Sequence, residues 1–162
     1  MESIIFKKEQ KDKVLSQNFD KISGKIVKGR GVGKKIGFPT INLITDKLPI
    51  KLNGVFAGKV EKKGKFFTSA IFIGKAKTFQ QFEKTIEIHI LENDFFNFFT
   101  KKDQFLTFFL KQKIRSVKKF KDINTLKKQI SKDCKKILQC QSNARTRGLS
   151  PLFPVLKLKK SK

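Results

Sequence analysis

The chain has no tyrosine, no tryptophan, one histidine and two cysteines, and only 13 acidic residues stand against 38 basic ones. Each shortage removes a class of protein. Cys134 and Cys140 have no second pair, so neither a zinc framework nor a disulfide scaffold is indicated, and a reducing compartment fits. No stretch approaches the ~20 apolar residues of a membrane span, and the apolar run in "MESIIFKKEQ" is too short for a signal sequence. A cytoplasmic chain with no membrane partner is expected. The formal net charge of +25 favours polyanionic partners without choosing among them. The cations are nearly all Lys and lie along the whole chain, whereas an RNA-binding sheet clusters Arg and aromatic stacking platforms on one face. The charge therefore reads as compositional drift, and no specific nucleic-acid partner is expected.

What is present is phenylalanine, 18 residues of it, in a chain of 162 that suits one domain with its own core. Residues 1–20 are polar without a clear period and read as an arm or linker remnant. From Ile22 the runs "ISGKIVK", "GVFAGKVEKK", "KFFTSAIFIG", "TIEIHIL" and "QFLTFFLKQK" alternate with Gly, Asn, Lys and Pro, the pattern of an antiparallel sheet or barrel. In "TIEIHIL" the isoleucines 86, 88 and 90 face one way, and Glu87, His89 and Leu91 the other. Gly64 in "VEKKGKFF" marks a hairpin turn. Further on the period changes: Leu126, Ile130, Cys134, Ile137 and Leu138 fall at helical spacing, with Asp122 or Asn124 available as the N-cap. The expected organisation is a mainly β unit over residues 21–140 with a C-terminal amphipathic helix, then a basic, irregular tail over 141–162.

The densest stretch is "GKIVKGRGVGKKIGFPTINL", residues 24–43. It is not a Walker A loop, because Lys28 and Lys35 stand where glycine and Ser or Thr belong. Nor is it a Rossmann fingerprint, since Lys34 and Ile36 occupy the third glycine's place and no helix is expected to follow. What remains is a glycine-rich loop whose amides and flanking Lys28, Arg30, Lys34 and Lys35 can line a polyphosphate, or a solvated hairpin loop. Pro39 biases Phe38 to an extended conformation, which sets Thr40 and Asn42 on one face of a strand. Their oxygens are hard ligands suited to a Mg²⁺ that bridges phosphates, although a lone Pro-Thr-x-Asn more often caps a turn. Glu87 on its strand is a candidate general base, and His89 on the same face a supporting residue.

These elements, in this order, resemble riboflavin kinase, either as a separate enzyme or as the C-terminal module of bacterial bifunctional riboflavin kinase/FAD synthetase. "ISGKIVKGRGVGKKIGFPTINL" is similar without gaps to the family's first strand, glycine flap and Pro-Thr-Ala-Asn motif, and "NGVFAGKV" to its Gly-Val-Tyr strand. "GKFFTSAIFIGKAKTF" resembles the Ile-Gly-x-Arg-Pro-Thr-Phe segment, with Ala76 and Lys77 in place of Arg-Pro, and "IEIHIL" the Glu-x-His strand. "NFFT" is similar to an Asp-Leu-Tyr-Gly turn. "IRSVKKFKDINTLKKQISKD" is similar to the Arg-x-Glu-x-x-Phe and Leu-x-x-Gln-Ile-x-x-Asp ending, with Val117 in place of Glu.

The resemblance implies a six-stranded Greek-key barrel with a C-terminal helix. It implies transfer of the γ-phosphoryl group of ATP to the 5′-hydroxyl of riboflavin, giving FMN and ADP, with Glu87 as base. ATP would be bound by Gly29, Arg30, Gly31, Gly33, Lys34, Gly37, Pro39 and Thr40, Mg²⁺ by Thr40 and Asn42, and the flavin beside Arg115, Val117 and Phe120. The enzyme is expected to act as a monomer. "VLSQNFDKISG" is similar to the linker of bifunctional members; residues 1–20 leave no room for an adenylyltransferase module, so FAD synthesis is not expected. The alternative is a basic β-barrel nucleic-acid-binding module with a degenerate flavin site.

Overall fold

The computed structural model describes residues 21–48, 52–75, 84–97, 99–100 and 102–146, the side chains of 96, 97 and 141–146 excepted. The expectations for residues 1–20, for 76–79 and for the tail beyond 146 lie outside these residues.

Period-two alternation becomes the wall of a barrel. The strands are β1 (Ile22–Val27), β2 (Ile41–Ile44), β3 (Gly54–Lys62), β4 (Lys65–Lys75), β5 (Lys84–Ile90) and β6 (Phe105–Arg115). They close in the order β1-β2-β5-β4-β3-β6, and every neighbouring pair is antiparallel. β6 returns to lie beside β3 outside the β3-β4-β5 meander, which is the Greek-key order. β3 and β4 join through Lys63 and Gly64, both at positive φ, the two-residue turn whose twist suits a hairpin.

Closure leaves no sheet edge and sends alternate side chains inward. Leu43, Phe56, Val60, Ile71, Ile73, Ile86, Ile88, Leu106 and Phe108 fill the interior with Phe95 from the turn Asn93–Asn97. Burying one such isoleucine contributes roughly 1.5–3 kcal/mol. A second cluster lies outside the wall: Val55, Ala57, Ala70 and Ile114 pack against Ile137 of a long helix, with Phe72, Leu91 and Cys134 around them.

That helix runs from Ile123 to Thr146. Asp122 is its cap, for its carboxylate accepts from the Thr125 amide at 2.7 Å and its carbonyl from the Leu126 amide at 3.2 Å. Two expectations are corrected here. The helix continues past Cys140 through Gln141–Thr146, because that stretch holds no Gly or Pro and adding turns to a formed helix costs little. Leu138 is 52% exposed, one step past the inward stripe on which Asp133 and Ile137 are buried. No described helix is long and apolar enough to cross a membrane.

Candidate active site

The segment between β1 and β2, residues 28–40, folds over the outside of the barrel as a flap. It holds a one-turn helix, α1 (Val32–Lys35), where a plain glycine-rich loop was expected; the long helix is α2. Backbone bonds explain the turn. Phe38 donates to the Gly33 carbonyl at 2.8 Å and Gly37 to the Lys34 carbonyl at 3.3 Å, a Schellman closure that needs the positive φ found at Gly37. Two other glycines are there for contact. A Cβ on Gly33 would stand 2.3 Å from the Phe38 carbonyl oxygen and 3.3 Å from Thr40 Oγ1, and one on Gly29 would stand 2.1 Å from Asn42 Nδ2. The flap therefore closes tightly on its own Phe38 and Thr40 and rests directly on Asn42, while Lys28, Arg30, Lys34 and Lys35 stay exposed around it.

Strand register carries the site onward from Asn42. Asn42 on β2 pairs with Glu87 on β5, Glu87 with Phe72 on β4, Phe72 with Val55 on β3, and Val55 with Arg115 on β6. One lateral row on the barrel's outer wall thus runs from the flap to the end of β6. With strands about 4.8 Å apart, Glu87 and Arg115 are separated by roughly 14 Å along the wall.

Glu87 is half-buried between Asn42 and Phe72. Burial raises its pKa above the ordinary carboxylate value, and the Arg30 guanidinium draws it part of the way back. A carboxylate tuned upward and held on a rigid strand suits proton abstraction better than one at its usual value. His89, two residues on, reaches the end of the flap. Its Nδ1 lies 2.9 Å from the Pro39 carbonyl oxygen, so Nδ1–H donates, and its ring meets Phe38 edge-on at 5.4 Å. The histidine ties β5 to the Phe-Pro-Thr run and so sets where Thr40 and Asn42 begin.

At the other end of the row Arg115 is already engaged. Its Nε donates to Asp133 Oδ2 at 2.9 Å, its Nη1 to the Ser116 carbonyl at 3.1 Å, and its guanidinium lies 5.6 Å from the centre of the Phe120 ring. Asp133 also accepts from Gln129 Nε2 at 2.9 Å. Val117 is 49% exposed. Asp133 and Phe72 were not among the residues singled out as site candidates. A carboxylate on the inward stripe of an amphipathic helix was the available signal for the first, since such a group must have a buried partner.

The residues expected on the nucleotide side and the expected base are thus together: Gly29, Arg30, Gly31, Gly33, Lys34, Gly37, Pro39 and Thr40 in the flap, and Asn42 and Glu87 beneath or beside it. Arg115 and Phe120 are at the far end, with Val117 between them in sequence. No group of three or more His, Cys, Asp or Glu side chains able to hold a metal occurs among the described residues. A Mg²⁺ here would use Thr40 Oγ1 and the Asn42 amide oxygen with phosphate oxygens. These are hard neutral donors, which fit an ion that keeps waters and prefers few protein ligands.

The model of the family "Flavokinase: Riboflavin kinase" matches residues 17–141. Among curated relatives, the trifunctional protein RibF/MnmA of Mycoplasmoides gallisepticum is 36% identical over 80% of this chain and 19% of its own length. The bifunctional riboflavin kinase/FMN adenylyltransferase of Haemophilus influenzae is 33% identical over 70% and 36%, and the RNA-binding riboflavin kinase RibR of Bacillus subtilis 34% over 69% and 47%. The chain therefore spans less than half the length of each of these relatives. A solved structure described as a macrolide-efflux protein from Streptococcus pneumoniae superimposes with a TM-score of 0.58 at 25% identity, covering 71% of this chain and 37% of that one. The match over residues 17–141 takes in the flap, all six strands and most of α2, and the chain belongs to the riboflavin kinase family.

Proposed function

We propose that this chain is a riboflavin kinase, working as a cytoplasmic monomer on riboflavin and Mg-ATP. The observation that carries the reading is the register pairing of Asn42 with Glu87 directly beneath the glycine flap. It sets a candidate metal ligand and a candidate base side by side, where a terminal phosphate and a hydroxyl can meet. The free thiols of Cys134 and Cys140 support a reducing compartment.

The flap amides and the cations Arg30 and Lys34 hold the polyphosphate, and Gly29 and Gly33 let the backbone approach it. The metal, when bound, neutralises phosphate charge. Glu87 takes the proton of the 5′-hydroxyl as that oxygen bonds to the γ-phosphorus; the bond from the γ-phosphorus to the bridging oxygen breaks, and ADP leaves with the electron pair. Such a transfer needs alignment and charge compensation more than covalent help, so one base and a shaped flap suffice. The row supports a flavin orientation too: with its hydroxyl at Glu87, the ring system lies over Phe72 toward Arg115 and Phe120.

The test is FMN formation from riboflavin and Mg-ATP by the purified chain, read by chromatography with fluorescence detection, with Glu87→Gln as control. FMN from the parent and not from the variant is the expected result; no FMN from a folded parent would sink the reading. A nucleic-acid-binding barrel has no use for the Asn42–Glu87 pair. RNA binding with a steep salt dependence and no sequence preference is what a charge of +25 produces by itself.

A further inference from the structure

We propose that Asp133 is a positioning residue for the kinase reaction: acting through Arg115, it holds the segment 116–121 in place against the flavin end of the row. This rests on the reading of that end as the flavin side. The starting point is a charge in an apolar position. Asp133 is 5% exposed and sits on the stripe of α2 that carries Cys134 and Ile137 onto the barrel.

A carboxylate there requires partners, and it has two, Arg115 Nε and Gln129 Nε2, each at 2.9 Å. Stability is a weak reason to keep such a pair, because apolar side chains of similar volume usually serve a core as well or better. The reason lies in what Arg115 does with the rest of its fork. It donates back to the Ser116 carbonyl and lies against the ring of Phe120, so one guanidinium joins the end of β6, the first peptide of the segment and its last aromatic. Residues 116–120 form neither helix nor strand, and 116–119 are exposed. Their course is set where Arg115 is set, and Asp133 sets Arg115. A lysine cannot substitute, since a single ammonium lacks the planar fork that serves three partners at once.

The absence of Trp and Tyr supplies the experiment. Val117→Trp places the chain's one strong fluorophore on the exposed segment. Its anisotropy without ligand reports the hold on the segment, whether or not the flavin binds there. In this background Asp133→Asn is expected to lower the anisotropy. In the otherwise unmodified chain it should raise the KM for riboflavin roughly ten-fold, the scale of one lost charge-assisted hydrogen bond, and leave the KM for ATP within about two-fold. Arg115→Lys, which keeps the charge but loses the fork, should give the same pattern at least as strongly, and it carries the test if Asp133→Asn does not fold.

Unchanged anisotropy overturns the proposal. So does an equal rise of both KM values with a lower melting temperature, which would make Asp133 a helix anchor only. Lower anisotropy with an unchanged riboflavin KM would overturn the flavin-facing role. No FMN from the parent defeats the kinase reading by itself, while the anisotropy still decides whether Asp133 holds the segment.

Discussion

At the Asn42 end of the row the chain shapes its surface with backbone: a Schellman turn at Gly37 and two glycines pressed onto Asn42 and the Phe38 carbonyl. At the Arg115 end it uses side chains, an arginine fork held by a buried aspartate 18 residues further along the chain. The two constructions tolerate different changes. The flap leaves no room for an added Cβ at Gly29 or Gly33, whereas the Arg115 end depends on its ion pair with Asp133. Under the proposed reaction, a substitution can thus be aimed at one end while the other serves as its control.

The largest effect should come from the residue both ends share. Glu87→Gln is expected to lower turnover ~10²-fold or more with ATP binding nearly intact, as loss of a general base does; steady-state and nucleotide-titration measurements separate the two. Its stability should move the other way. Because burial raises the folded pKa of Glu87, its stabilising contribution is complete below the unfolded pKa and is lost as pH rises through the folded one. The variant should therefore melt higher than the parent at neutral pH, and that advantage should vanish in acid.

Gly33→Ala comes next. Its Cβ would clash with the Phe38 carbonyl oxygen and open the turn within the flap, so the KM for ATP should rise by about ten-fold while the riboflavin KM and the melting temperature change little. Equal shifts in both KM values would mean the two ends are not separable. Asn42→Ala should weaken the Mg²⁺-dependent part of nucleotide binding by several-fold, about one hydrogen bond's worth; an equal loss with and without Mg²⁺ would assign Asn42 to folding instead. Arg30→Gln should have the smallest effect on maximal rate. It removes the charge that offsets Glu87's burial, so the acidic limb of the rate profile should move to higher pH, the base having to be deprotonated to act. An unmoved limb would place Arg30 with the phosphates alone.

The same contrast explains what the sequence made readable. The flap end is local: Gly29 to Asn42 is one stretch, and its glycines, proline and oxygen side chains announce it. The strands were readable because isoleucines 86, 88 and 90 keep a strict period, and the Greek-key order came through family resemblance rather than periodicity. The α1 turn was missed because the Schellman closure is made by backbone amides, which leave only Gly37 as a trace. Pairings at long range were out of reach in kind. Nothing near Asn42 names Glu87 as its neighbour, and nothing near Arg115 names Asp133; both depend on how strands align or how α2 packs. Apolar spacing could not separate Leu138 from Ile137, since adjacent helix positions both border the stripe.

The row across five strands also has a meaning for how the protein is made. Its members enter the chain at residues 42, 55, 72, 87 and 115, and β6 must pair with both β1 and β3 before the barrel is closed. Shifting any of these strands by one residue would turn its contribution from the outer wall to the interior. A ribosome must therefore release the chain beyond Arg115 before a complete site can exist. Partly folded forms, lacking the distant pairings that close slowly, should be catalytically silent. The proposed kinase activity would be a readout of correct closure as much as of chemistry.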